Sequence, residues 1–197
     1  MGKVLTRQEE IYQVAARLFF TKGYHATSMR DIASSVGVEQ AALYYYYRSK
    51  GEILYAIMKK SVLDLMESVD SALKNDGSVT GKLFSFLNAH MGFFLHRREE
   101  IGLGFELRNL NPEQQIELKQ LQREYLERFR LILDQAIGEG VVRPCDTQIA
   151  TMLLVATTNS VVVWYRPDGP RDADEIASIF ADIAIRGLLQ TPDVNAA

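Results

Sequence analysis

The stretch from Thr27 to Lys50, TSMRDIASSVGVEQAALYYYYRSK, leaves its chain few ways to fold. Ser28 with Asp31 three residues on has the form of a helix N-cap, and Ile32, Ala33 and Val36 give the short helix that follows one apolar side. Gly37 stops that helix, because glycine takes the positive φ a tight inter-helix turn demands. Helical spacing restarts almost at once, over Val38 to Tyr45. Two helices joined by so short a turn must cross steeply, and the residue types fit: Ala33 permits close approach, while Ile32, Val38 and Leu43 fill the wedge. This is the helix-turn-helix pattern, whose second helix enters the major groove of DNA. With Leu43 inward, Gln40, Ala41, Tyr44 and Tyr45 share the outer side, where a bland surface helix would carry Lys and Glu.

Charge is distributed to match. Residues 1 to 60 hold nine Lys/Arg against five Asp/Glu, and residues 61 to 197 hold 13 against 20. A basic head on an acidic body suits a chain in which only the head meets a polyanion. The lone Cys145 can form no disulfide within the chain, and His25, His90 and His96 lie too far apart in sequence for a local metal motif, so no metal site is expected. There is no H-E-x-x-H, no G-x-S-x-G and no phosphate-binding loop, and no catalytic residues are assigned. An all-helical acyl-CoA-handling enzyme is the alternative function, since catalytic groups can converge from distant positions. The polar start MGKVLTRQEE has no signal-peptide core, and the apolar run from Met152 to Tyr165 is interrupted by Thr157, Thr158, Asn159 and Ser160. A soluble, cytoplasmic protein without a membrane partner is expected.

Helix signals fill the chain. A first helix from about Thr6 to Thr21 carries Ile11, Val14, Ala15, Leu18 and Phe19 on one face and ends at Gly23. Ser49 and Glu52 form a capping box for a long amphipathic helix to about Leu73, the mechanical link between head and body. Asn75 to Thr80 reads as a turn and the best domain boundary by composition. The body offers a helix from about Val79 to His96, a shorter segment from Arg98 to Leu110, and a long helix opened by Asn111 and Pro112. The penultimate helix, about Asp146 to Tyr165, is apolar on nearly every side, which requires burial all round. The last, from about Asp172, shows Ile176, Ile179, Phe180 and Ile183 in helical spacing. One monomer of this size does not cover both, so two subunits are expected to pair them in a four-helix interface of a symmetric homodimer.

The segment Ile11 to Leu54 resembles the tetracycline-repressor (TetR) family. The likeness is carried by AARLF at Ala15 to Phe19, GYHATSMRDIA at Gly23 to Ala33, VGV at Val36 to Val38 and LYYYYRSKGEIL at Leu43 to Leu54. It implies an all-α fold of about nine helices. An N-terminal three-helix helix-turn-helix domain at 1–50 would bind double-stranded DNA, and a C-terminal effector-binding and dimerisation domain would occupy 51–197. It places Gln40, Ala41, Tyr44, Tyr45 and Tyr46 at recognition-helix positions, and Lys50 where a lysine ammonium meets a backbone phosphate. The chemistry suits: glutamine pairs with adenine, a methyl touches thymine, and tyrosine hydroxyls reach phosphate oxygens. Arg30 is a candidate for a phosphate or guanine, and Thr27 for a phosphate. Three departures concern the operator. Glu39 stands where Ser or Thr is common, Ala41 replaces a frequent Gly, and Tyr46-Tyr47 replaces a usual His-Phe pair. Tyr47, at the crossing with the next helix, is expected to pack.

WYRPDGP at Trp164 to Pro170, followed by DEIASIFADIAIRGLL, is similar to a subgroup of these repressors that respond to acyl-CoA thioesters. The same residues also make an ordinary turn between two helices, and both readings stand. An effector pocket would be apolar with a few placed polar groups, and the candidates are Phe94, Phe105, Arg108, Tyr125, Asn159 and Trp164. Arg97, Arg98 and Arg166 are candidates for the phosphates of a CoA group. The expected function is that of a ligand-responsive repressor without a cofactor. It binds a palindromic operator as a dimer and is released when a small hydrophobic effector, an acyl-CoA in the subgroup reading, moves the Glu52-to-Leu73 helix.

Overall fold

Caps decide where the helices begin. In the computed structural model, which describes residues 6–74 and 77–188 without the side chains of Phe105, Val162 and Leu188, Thr6 accepts the Glu9 amide at 3.2 Å while the Glu9 carboxylate accepts the Thr6 amide at 2.7 Å. That reciprocal box opens α1 (Arg7–Lys22). Ser28 and Asp31 form the same box for α2 (Met29–Val36), and Gly37 ends it in the left-handed region at φ 75. After α3 (Gln40–Tyr46), Ser49 caps α4 (Lys50–Leu73), and the Glu52 carboxylate accepts the Arg48 amide one residue further upstream than a capping box requires.

Of the expected turn, Asn75 and Asp76 lie outside the described residues; Ser78 caps α5 (Val79–His96). A short α6 (Arg98–Gly102) runs into a 3-10 turn at Leu103–Asn109. Asn111 then accepts the Gln114 amide at 2.9 Å, with Pro112 as the first residue of α7 (Pro112–Gly138). The remaining helices are α8 (Thr147–Asn159), α9 (Val161–Trp164) and α10 (Ala173–Leu188), and the described residues form an all-α protein. The single helix expected over 146–165 is divided at Ser160. The Thr157, Thr158 and Ser160 hydroxyls each donate to a carbonyl three or four residues back, at 2.7 Å, and such bonds compete with the main-chain ladder.

Packing divides the chain into two compact units. The first comprises Met1–Leu63 and Arg98–Gln120, the second Asp64–Arg97 and Leu121–Ala197. In the first, Ile11, Ala15 and Phe19 of α1 close on Ile32, Leu43, Ile53, Leu54 and Ile57. Leu103, Leu110 and Leu118 join that core from a distant part of the sequence. By packing, then, the head is larger than the helix-turn-helix segment 1–50. The Tyr12 hydroxyl donates to Glu100 at 2.6 Å, and Tyr55 and Lys59 both donate to Glu117, tying the later segment to α1 and α4 within this unit.

In the second unit Phe86 stacks on Phe129 with ring centroids 4.5 Å apart, and Leu83, Leu87, Met91 and Leu133 are buried with them. The small residues Ala177 and Ala181 let α10 lie close along α5. Among the described residues no helix is long and apolar enough to cross a membrane.

Candidate nucleic-acid interface

α3 is a helix of seven residues held by one buried side chain. Leu43 is fully buried, whereas Gln40, Ala41, Tyr44, Tyr45 and Tyr46 are exposed, Tyr45 by 86%. Burying a leucine stabilises by about 1.5–3 kcal/mol, enough to seat so short a helix but not to specify its outer face. The Tyr45 and Tyr46 rings meet edge to face at 5.4 Å, so the two phenols stand as a pair. Tyr47 is buried, and its hydroxyl accepts from Gln8 Nε2 at 3.4 Å. Glu39 gives α3 no side-chain cap.

The loop that delivers α2 is held tightly. Thr27 is only 1% exposed, and its hydroxyl donates to the carbonyls of Gly23 (2.9 Å) and Leu18 (3.3 Å). The expectation of a phosphate contact from Thr27 is therefore corrected: its one hydroxyl proton is used inside the head. Arg30 is exposed at the second position of α2. Lys22 Nζ lies 2.9 Å from Asp31, and together with the Ser28 amide and hydroxyl it holds that carboxyl below the usual carboxylate range. Lys50 is half-buried, and its ammonium donates to the carbonyls of Tyr24, Thr27 and His25. Residue types alone could not reveal this, since main-chain acceptors carry no side-chain signature.

The six residues expected around an effector are divided between the units. Phe105 and Arg108 belong to the first; Arg108 is exposed, and the Phe105 side chain lies outside the described residues. In the second, Phe94 and Tyr125 both meet the His90 ring, with centroids 4.5 and 5.6 Å away. His90 was not among the expected site residues, yet it centres a buried polar chain. Thr158 donates its hydroxyl proton to the Val155 carbonyl (2.7 Å), so it must accept from His90 Nε2 (2.7 Å). Nδ1 is then free to accept the Tyr125 hydroxyl at 2.6 Å. Burial brings His90 down to about 3 and raises the Tyr125 phenol well above its ordinary value.

Asn159 is exposed, so its amide needs no partner inside the fold, and burial of α8 on all sides is not a property of the single chain. Ile149, Met152 and Leu153 of α8 and Ile179 and Ile183 of α10 are exposed. Trp164 is half-exposed, donates its indole N–H to Ser160 at 3.2 Å, and lines an open cleft of about 540 Å³ with Met91, Tyr165, Arg166, Phe180 and Ile183. Of the other arginines considered, Arg97 pairs with Asp64 at 3.4 Å and Arg98 lies over the Phe20 ring.

Known proteins share this fold. Residues 11–57 match the family described as bacterial regulatory proteins, tetR family, and residues 76–188 match the tetracyclin repressor-like C-terminal domain. The crystal structure of PfmR from Thermus thermophilus, a TetR family transcriptional regulator, is 31% identical and superposes with a TM-score of 0.85, covering 95% of this chain and all of that one. The HTH-type transcriptional repressor KstR2 of Mycolicibacterium smegmatis is 26% identical over 94% of this chain and 92% of its own. AibR, crystallised with isovaleryl coenzyme A and operator DNA, is alike in fold, with 24% identity and a TM-score of 0.80 over 93% of this chain and 98% of its own. The chain belongs to the tetracycline-repressor family, whose members are bacterial regulatory proteins rather than enzymes.

Proposed function

We propose that the chain is a repressor that binds a palindromic operator as a homodimer and is released by a small hydrophobic effector. The observation that carries the DNA reading is α3, a recognition helix whose exposed side presents Gln40, Ala41, Tyr44, Tyr45 and Tyr46 around one buried leucine. Arg30, exposed near the start of α2, adds a cation for phosphate or guanine. The pure protein is expected to retard its own upstream DNA in a sequence-dependent, salt-sensitive way. Tyr44→Ala should weaken that binding about tenfold while leaving the melting temperature unchanged. Absence of any salt-sensitive, sequence-dependent complex would sink the reading.

The homodimer is supported by the apolar side chains that α8 and α10 leave exposed in one chain. For the effector, the support is the largely apolar cleft beside Trp164, with Arg166 among its lining residues, a composition that suits an apolar acyl chain on a phosphate-bearing carrier. An acyl-CoA thioester meets that description. To release DNA a hundredfold the effector must favour the non-binding form by about 2.7 kcal/mol. Thermal shifts against long-chain acyl-CoA, steroid-derived CoA esters and free aromatic acids test the class. Stabilisation by a thioester is expected, and a response confined to the free acids would reject it.

A further inference from the structure

Three main-chain carbonyls converge on the ammonium of Lys50, the first residue of α4: Tyr24 at 2.8 Å, Thr27 at 3.0 Å and His25 at 3.2 Å. An ammonium has three protons, so each has an acceptor. The Tyr24 ring stands against the same charge, its centroid 4.5 Å from Nζ. The carbonyls belong to the loop between Gly23, at φ 93, and Ser28, the N-cap of α2. Carbonyl dipoles aimed at one point repel each other unless a cation sits among them. The Thr27 hydroxyl ties the loop to α1 and its C-cap, and Lys50 ties it to α4.

Within the operator-binding reading, on which this rests, we infer that Lys50 is a positioning residue rather than a phosphate ligand: it fixes where α2, and with it α3, starts relative to α4. Donating to a phosphate would cost it one of the three carbonyls. A compact ammonium suits three convergent acceptors, whereas the planar fork of arginine does not. The retained positive charge of Lys50→Arg therefore separates the two roles.

Hydrogen exchange on the DNA-free full chain and operator titrations over a series of KCl concentrations decide between them, using Lys50→Met and Lys50→Arg. Both variants should speed exchange of the Thr27, Asp31 and Ile32 amides, which the loop and the α2 cap protect. Both should also lower operator affinity about tenfold at every salt concentration, with the slope of log K against log salt left at the wild-type value. A phosphate ligand predicts otherwise: Lys50→Met lowers that slope by about 1.8, one phosphate for each of the two protomers, Lys50→Arg restores binding, and loop exchange does not change. A slope reduced in this way, or rescue by arginine, overturns the inference. If the wild-type protein retards no DNA, the operator reading fails by itself. The exchange measurement then still decides whether Lys50 holds the loop, and unchanged exchange in both variants overturns that.

Discussion

His90→Leu is expected to lower the melting temperature by several degrees and to remove much of the protein's sensitivity to mild acid. In the second unit the protons run in one direction, from Tyr125 to His90 Nδ1, from His90 Nε2 to Thr158, and from Thr158 to the Val155 carbonyl. Leucine leaves the buried Tyr125 hydroxyl without its acceptor, at a cost of about 1–3 kcal/mol, and for a chain of this size each kcal/mol shifts the melting temperature by roughly 2–4 °C.

The acid effect follows from linkage. The folded state holds His90 neutral down to about 3, against 6.5 for the free side chain, so between those values the unfolded chain binds more protons. The stabilisation is complete above pH 6.5 and is lost as pH falls toward 3, at up to about 1.4 kcal/mol per pH unit. Urea unfolding at intervals from pH 4 to 7.5 should show a steeper acid decline in the wild type than in His90→Leu. Parallel curves would remove His90 from the account.

A charge placed in the exposed apolar sides of α8 and α10 is expected to separate the subunits. Leu153 and Ile183 are 66% and 65% exposed in the single chain, so Leu153→Asp with Ile183→Asp should alter the fold of one chain little, as surface substitutions usually do. In a dimer the same positions would bury carboxylates without partners. Sedimentation equilibrium should give twice 22.3 kDa for the wild type and 22.3 kDa for the double variant. Operator affinity should fall roughly 10²- to 10⁴-fold, because each head then binds its half-site alone. A double variant that remains a dimer, or a wild type that sediments as a single chain, would refute the pairing.

The helix-turn-helix was legible because its determinants are local. The Ser28–Asp31 box, the positive φ at Gly37 and the inward Leu43 all act within a few residues of where they are read. Tyr47 was legible for a related reason: an aromatic at a helix crossing is more valuable inside than out. Where the residue-level expectations departed from the structure, the deciding partner was distant in sequence or had no side chain.

Thr27 looked available for phosphate until its hydroxyl was found on the Leu18 and Gly23 carbonyls. Asn159 looked buried because α8 is apolar on most sides, but apolar composition does not distinguish a core from a face that one chain leaves open. The His90 chain had a faint signal, a histidine and a threonine each set in apolar helices. Pairing them requires knowing that α5 and α8 meet.

The segment Arg98–Gln120 returns to complete the core of the head, bringing Leu103, Leu110 and Leu118 to it. The helix-turn-helix part is therefore not a detachable module that ends where α3 ends. A hybrid regulator made by joining residues 1–63 to a foreign sensor would open an apolar gap where those three leucines stood. An exchange that respects the packing carries two separate stretches of chain, and because the junctions after Leu63 and Gln120 fall inside α4 and α7, it must also keep the turns of those two helices continuous.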